Sequence, residues 1–203
     1  IEEKVMAQTN TEITTSTSSS FVPKQKISYE EFLVEYDGQY AEYVEGEVIK
    51  DMSVTERHDY LVRFLTTILT MFVETKNLGR IHGEPYQMKM IIEDKIKGRE
   101  PDLFFVSNEN FDRLGRQYFD GAADLVIEVI SPESIIRDTQ DKFDEYEKAG
   151  VKEYWLIDNE RRTANFYGLD EENKYKLLLP SADTKFESRV IEGLWIKTDW
   201  LWQ

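Results

Sequence analysis

Leu125-Val126-Ile127-Glu128-Val129-Ile130 is the most apolar strand-like run in the chain, and a carboxylate stands in the middle of it. Side chains alternate between the two faces of a strand, so Glu128 shares a face with Val126 and Ile130. The run holds no basic residue to pair with it. Taking a carboxylate out of water costs on the order of several kcal/mol unless something compensates. The usual compensations are a partner cation, a metal ion, or protonation through a raised pKa. Asp124–Ser131 is therefore read as a buried strand whose acid needs a partner from elsewhere in the chain.

Downstream of that strand, Pro132 is a stop. Asp138–Ala149 reads as a helix ended by Gly150, and Glu153–Asp158 as the next strand. Strand, helix and strand within about 35 residues form a parallel βαβ unit, right-handed by rule. Thr163–Tyr167, Lys174–Leu179 and a Trp-rich tail add strands at the sheet edge. Upstream, Arg80–Ile92 alternates as one strand, with Tyr86, Met88, Met90 and Ile92 on one face. A turn over Glu93–Gly98 leads to a second strand, Arg99–Val106, and residues 107–123 read as a polar loop with a short helical piece.

Before these lies the clearest helix, 56–76, where Leu61, Phe64, Leu65, Ile68, Leu69 and Phe72 follow the spacing of one buried stripe. Ser53 with Glu56 is the expected cap, and Asn77-Leu78-Gly79 fits the end. Ser28-Tyr29-Glu30-Glu31 spells a capping box for a short helix reaching Gly38. Tyr40–Asp51 reads as a hairpin turning at Glu45-Gly46. Residues 7–20 are Ser/Thr-rich and expected to be disordered, with Met6 a candidate natural start. The predicted organisation is a tail over 1–22 and a single mixed α/β domain over 23–203.

Composition narrows the chemistry. The 203 residues are 40% apolar and 13% aromatic, enough for a substantial core. The absence of Cys excludes disulfides, zinc-thiolate sites and thiol nucleophiles. Zinc sites of other kinds are poorly served by two histidines, His58 and His82. Neither a G-x-x-x-x-G-K-[ST] loop nor a G-x-S-x-G elbow occurs. No apolar run approaches the ~20 residues of a membrane-spanning helix, and no secretory pattern opens the chain. A soluble, cytoplasmic protein with no membrane partner is the expectation. The net charge of −15 argues against a protein that coats nucleic acid non-specifically, but acidic residues are what a divalent-metal site needs.

Asp102, directly after Pro101, opens a strand and shares its face with Phe104 and Val106. It either caps a turn after the proline or joins Glu128. If the two strands are neighbours, like charges converge and call for a cation between them. Magnesium is hard, prefers oxygen, and takes one or two carboxylates plus waters, and the Val129 carbonyl is a further candidate ligand. On the following helix, Asp138, Lys142 and Tyr146 are spaced i, i+4, i+8. Lys142 lies at the edge of the apolar side. It either projects over the carboxyl end of the Glu128 strand, where open α/β sheets hold ligands, or forms a surface pair with Asp138 worth about half a kcal/mol.

Pro101-Asp102, then Glu128, then Lys142 resembles the PD-(D/E)xK nuclease superfamily. Within it, the chain is similar to the Uma-two family of restriction-endonuclease-like proteins. The residues carrying the resemblance are Tyr40–Glu47 before His58, Pro101-Asp102-Leu103 and Asp124–Pro132. Asp138, Lys142, Tyr146, Ala149-Gly150-Val151 and Glu153-Tyr154-Trp155 follow. The resemblance covers roughly residues 27–200. It implies a restriction-endonuclease-like mixed sheet flanked by helices, with an extra N-terminal hairpin and C-terminal edge strands. It also implies Mg²⁺-dependent hydrolysis of phosphodiester bonds in DNA, with Mn²⁺ as an alternative ion. Asp102 and Glu128 would hold the metal, Lys142 would orient the attacking water, and His58 would support the site or touch substrate. Glu42 and Glu47 are possible extra carboxylates. The superfamily lysine expected at position 130 is replaced by Ile130, and the resemblance places its charge on Lys142 instead. A homodimer is a further expectation of the resemblance.

Scattered bases, Lys89, Lys95, Lys97, Arg99, Arg113, Arg116 and Arg137, are the candidates for phosphate contacts. A second reading is a nuclease-fold scaffold that binds nucleic acid or a protein partner without cutting it. The apolar residue at 130 and the net charge favour that reading. A third is a hydrolase of small phosphoesters using the same carboxylates.

Overall fold

Leu61, Leu65, Leu69 and Val73 recur at one-turn intervals along a 20-residue helix, and all four are buried against one face of a sheet. The computed structural model describes residues 26–50, 55–131 and 134–203. The tail over 1–22, the Ser53 cap and the stop at Pro132 lie outside those residues. In chain order the elements begin with α1 (Tyr29–Glu35), β1 (Ala41–Val44), β2 (Glu47–Lys50) and α2 (Glu56–Thr75). Next come β3 (Gly79–His82), β4 (Gln87–Ile92), β5 (Lys95–Arg99), β6 (Leu103–Ser107), β7 (Tyr118–Asp120) and β8 (Leu125–Ile130). α3 (Lys142–Ala149), β9 (Glu153–Asp158), β10 (Thr163–Leu169), β11 (Tyr175–Leu178), β12 (Lys185–Glu187) and β13 (Trp195–Lys197) complete the series.

Local chemistry accounts for the ends of these elements. The Ser28 hydroxyl accepts from Glu31 N–H while the Glu31 carboxylate takes Ser28 N–H, closing the capping box of α1. Glu45 and Gly46 both have positive φ between paired Val44 and Glu47, the geometry of a two-residue hairpin whose twist matches its strands. The cap of α2 is Thr55, whose hydroxyl accepts His58 N–H at 3.2 Å. Gly150 stops α3 with φ of 89°, a conformation open to glycine.

Two larger sheets share a core. One runs β2-β1-β5-β4-β7 and the other β11-β10-β9-β8-β6-β3, while β12 and β13 pair as a separate hairpin. In the six-stranded sheet β8 and β9 are parallel, joined through α3, and their outer neighbours β6 and β10 are antiparallel to them. Alternation sorts the apolar residues by face. Leu103, Phe105, Leu125, Ile127 and Val129 meet α2. Phe104, Val106, Val126 and Ile130 meet Met88, Met90 and Phe119 of the other sheet and Tyr146 of α3. Glu128 belongs by parity to this second, apolar face. Among the described residues no helix is long and apolar enough to cross a membrane.

Four sequence expectations are corrected. The single strand over Arg80–Ile92 is two strands in different sheets, because Gly83-Glu84-Pro85-Tyr86 makes a turn closed by Tyr86 N–H to Gly83 O. A Cβ on Gly83 would stand 2.4 Å from the Asp102 carbonyl oxygen, so only glycine lets the chain pass there. The strand expected over Arg99–Val106 is the end of β5 and then β6, parted at Glu100-Pro101-Asp102. The polar segment 107–123 contributes β7, paired parallel with β4. The Trp-rich tail forms its own hairpin with β12 and β13 rather than extending the sheet edge.

Candidate functional site

β6 and β8 pair antiparallel with Leu103 opposite Ile127, which puts Asp102 opposite Glu128. Asp102 N–H lies 3.5 Å from Glu128 Oε2, and Val129 N–H donates to Asp102 Oδ2 at 2.6 Å. The first turn of α2 places His58 Nε2 3.2 Å from each Asp102 oxygen. From α3, the Lys142 ammonium reaches Glu128 Oε1 at 2.9 Å, Glu42 Oε1 at 3.0 Å and Asp138 Oδ1 at 3.6 Å. Tyr146 OH donates to Glu128 Oε1 at 2.8 Å. Glu42, His58, Asp102, Glu128, Val129 and Lys142 thus meet at one place, the carboxyl end of β8. Val129 enters through its N–H. Glu47 lies apart on the outer strand β2, with Lys26 Nζ 3.9 Å from it. Ile130, where the superfamily lysine was expected, packs in the core.

The Asp138–Lys142 pair is not a surface pair, since both residues are 2% exposed. Lys142 ends a series of alternating charges that runs in from the exposed hairpin. Lys95 meets Glu45 at 2.9 Å, Glu45 meets Lys97 at 2.8 Å, and Lys97 meets Glu145 at 3.1 Å. Glu145 then meets Arg99 at 2.7 Å, and Arg99 meets Glu42 at 2.8 Å. Lys95, Lys97 and Arg99, expected as phosphate contacts, are therefore committed to internal ion pairs. Lys89 lies over the rings of Tyr29 and Tyr118, and Arg113 donates to Asp120 O. Of that expected set, Arg137 lines the site.

Burial opposes the charge on Lys142, but Glu128, Glu42 and Asp138 outweigh it and hold the pKa well above the ordinary lysine value. Burial also works against a charged Glu42, yet Lys142 and Arg99 pull its carboxyl down to about 2. Glu128 goes the other way. Its burial outweighs the pull of Lys142, Asp138 and Asp102 add to the rise, and its pKa is pushed up to about 8. Asp138 is likewise raised, chiefly by burial. Three carboxylates, those of Glu42, Glu128 and Asp138, thus share Lys142, while Arg99 also meets Glu42 and Arg137 lies 3.8 Å from Asp138. With Asp102 and Glu145 beside them, acids still outnumber cations, an imbalance that a bound cation would relieve.

A cavity of about 20 Å³, lined by His58, Asp102, Glu128, Arg137, Asp138 and Lys142 among others, has room for one water-sized body. Asp138 Oδ1 is buried there without a hydrogen bond. Among the described residues no three His, Asp or Glu side chains are grouped closely enough to hold an ion by themselves. Carboxylate oxygens are the donor type that a hard divalent ion takes, with waters completing its shell. Asp102 and Glu128 are the donors that fit.

Asp138, Arg99 and Tyr146 belong to this cluster without having been singled out for it. The i, i+4, i+8 spacing of Asp138, Lys142 and Tyr146 along one helix was the available signal. Arg99 had none, because its partners Glu42 and Glu145 come from β1 and α3.

No curated protein matches the chain. Among solved structures it is similar to one described as "a putative nuclease belonging to DUF820" from Anabaena variabilis. That match has a TM-score of 0.65 and 19% identity, and covers 79% of this chain and 88% of the other. The family model Uma2, described as "Putative restriction endonuclease", matches residues 28–199. Spanning most of the chain and all the residues of the site, that match shows that the protein belongs to this family of nuclease-like proteins.

Proposed function

We propose that the protein is a metal-dependent nuclease that hydrolyses phosphodiester bonds in DNA at the carboxyl end of β8. The observation that carries this reading is the convergence of Asp102, Glu128 and Lys142 from two strands and a helix beside a void sized for one small body. Asp102 and Glu128 would hold Mg²⁺ or Mn²⁺, and the bound ion would supply Lewis acidity and charge neutralisation to the scissile phosphate.

The chain's own groups prepare that chemistry. With Nε2 protonated, His58 donates to Asp102 Oδ2, and Val129 N–H donates to the same oxygen, so the carboxylate is oriented before anything binds. Tyr146 and Lys142 converge on Glu128 Oε1, which leaves Oε2 on the side facing Asp102. Lys142 is a fixed positive charge, held in place by Glu42, where negative charge builds on the phosphoryl oxygens. Such preorganised charge acts strongly because no solvent must reorganise during the reaction.

The test is incubation of the purified protein with plasmid DNA and Mg²⁺ or Mn²⁺, beside E128Q and K142M. Nicking that requires metal and is lost in E128Q supports the reading. Intact DNA and RNA with every divalent metal would overturn it. The burial and saturation of Lys142 favour a second reading, a scaffold that binds without cutting. That reading predicts no Mn²⁺ binding at millimolar concentration and no cleavage.

A further inference from the structure

The bases expected to meet phosphate are largely consumed inside the protein, yet Arg137 of that set and three further arginines lie at the candidate site's end of the sheet. β8 and β9 run parallel and finish together, with Ile130 opposite Asp158. The turn between β9 and β10, Asn159-Glu160-Arg161-Arg162, therefore leaves the sheet at the end where Glu128 and Asp102 lie. α2 starts at the same end, because its second and third residues are Arg57 and His58, and His58 contacts Asp102. Arg57 Nε donates to Asn159 Oδ1 at 3.1 Å, which ties the helix start to the turn. Arg161 is 72% exposed and meets Asp158 only at 3.7 Å. Arg162 is exposed and held at a φ of 52°. Arg137 lines the site cavity itself.

We infer that Arg57, Arg161 and Arg162, with Arg137 at the cavity, form the surface that receives the sugar–phosphate backbone of a nucleic acid. The inference rests on the proposed nuclease reading and names how its substrate is held. Guanidinium groups suit this role, since a planar fork pairs with phosphate oxygens through two parallel hydrogen bonds. The Nε bond of Arg57 uses one of its five donors. Acids are present at this end too. Asp59 is paired with Arg63 at 2.7 Å, and Asp158 is engaged by Arg161 N–H, while Glu56 and Glu160 are exposed. Around the helix start and the turn, Arg57, Arg63, Arg161 and Arg162 thus match Glu56, Asp59, Asp158 and Glu160 in number, beside the acid-rich cavity, in a chain of net charge −15. A polyanion meets less repulsion there than the whole molecule would present.

The test is fluorescence anisotropy with a labelled DNA duplex in Ca²⁺ over a salt series. Wild type is compared with R57A, R161A/R162A and R116A, the last an exposed arginine outside this end. Binding should weaken by about tenfold in R161A/R162A, and the slope of log K against log salt should fall by about 2, near one for each lost phosphate contact. R57A should show a smaller loss in the same direction, and R116A none. Unchanged affinity and slope in R57A and R161A/R162A would overturn the inference, as would a wild type that binds no duplex. Cleavage with Mg²⁺ separates the two ideas. Salt-dependent binding lost in R161A/R162A without cleavage by wild type keeps the arginine surface and removes the nuclease. Cleavage undiminished in R161A/R162A does the reverse.

Discussion

Asp124 and Glu128 are buried acids four residues apart, one just before β8 and one inside it, and they are solvated in opposite ways. Asp124 accepts from Ser107 N–H at 2.9 Å, from the Asn110 amide and from Lys152 at 2.7 Å. Those donors outweigh its burial and hold its carboxyl below the usual range. Glu128 has a closer cation, Lys142, but shares it with Glu42 and Asp138, and its pKa is raised. Asp124 has enough donors to act as a lock between loop and strand. Glu128 sits among more acids than cations, the kind of environment that marks a candidate functional site. Burial by itself does not separate the two cases.

That contrast breaks most readily at Lys142. In K142M three buried carboxylates lose their shared cation, and urea unfolding should show a loss of about 3–5 kcal/mol. A stability within 1 kcal/mol of wild type would mean the acids are less crowded than their distances indicate. D124N comes next. It weakens hydrogen bonds to a charged acceptor, with an expected cost of about 1.5–3 kcal/mol and no effect on Mn²⁺ binding. E128Q sharpens the comparison from the other side. Since the fold resists ionising this group, the amide should leave stability within about 1 kcal/mol of wild type. Calorimetric titration should nevertheless show Mn²⁺ binding gone. If D124N abolished binding and E128Q did not, the assignments of lock and site would have to be exchanged.

The pH dependence follows the same division. Because its folded pKa is lowered, Asp124 adds stability that is present above the ordinary Asp value of about 3.9 and disappears as pH falls through the folded value. The stability gap between wild type and D124N, followed by denaturant unfolding, should therefore narrow from pH 7 to below pH 4. The smallest effect belongs to the exposed pair Lys148–Glu93, 3.1 Å apart. K148A should change stability by less than about 1 kcal/mol.

Glu128 was legible because a charge interrupts an apolar alternation, a purely local pattern. Asp102 was legible as an acid at a strand start, but whether it capped a turn or faced Glu128 depended on which strands pair. The capping box, the β1–β2 hairpin and α2 were readable for the same local reason. The break at Gly83–Tyr86 was missed because the even-numbered alternation of Tyr86, Met88, Met90 and Ile92 was extended back over β3, whose apolar residue, Ile81, is odd-numbered and packs in the other core cluster. Arg99 was misread as a phosphate contact, since nothing along the chain reveals that Glu42 and Glu145 enclose it. Arg57 and the adjacent pair Arg161-Arg162 lie about a hundred residues apart in sequence but share one end of the sheet, a neighbourhood no local pattern reveals.

The order of residues determined the periodicities, the caps and the misplaced acid, because these depend on neighbours within a turn or a pleat. Only the tertiary structure decided which charges meet. Lys142 serves Glu128 and Glu42 because a parallel crossover lays α3 over the sheet where β1 also arrives. Coulomb interactions act through space, so their partners are set by the packing of distant segments rather than by spacing along the chain.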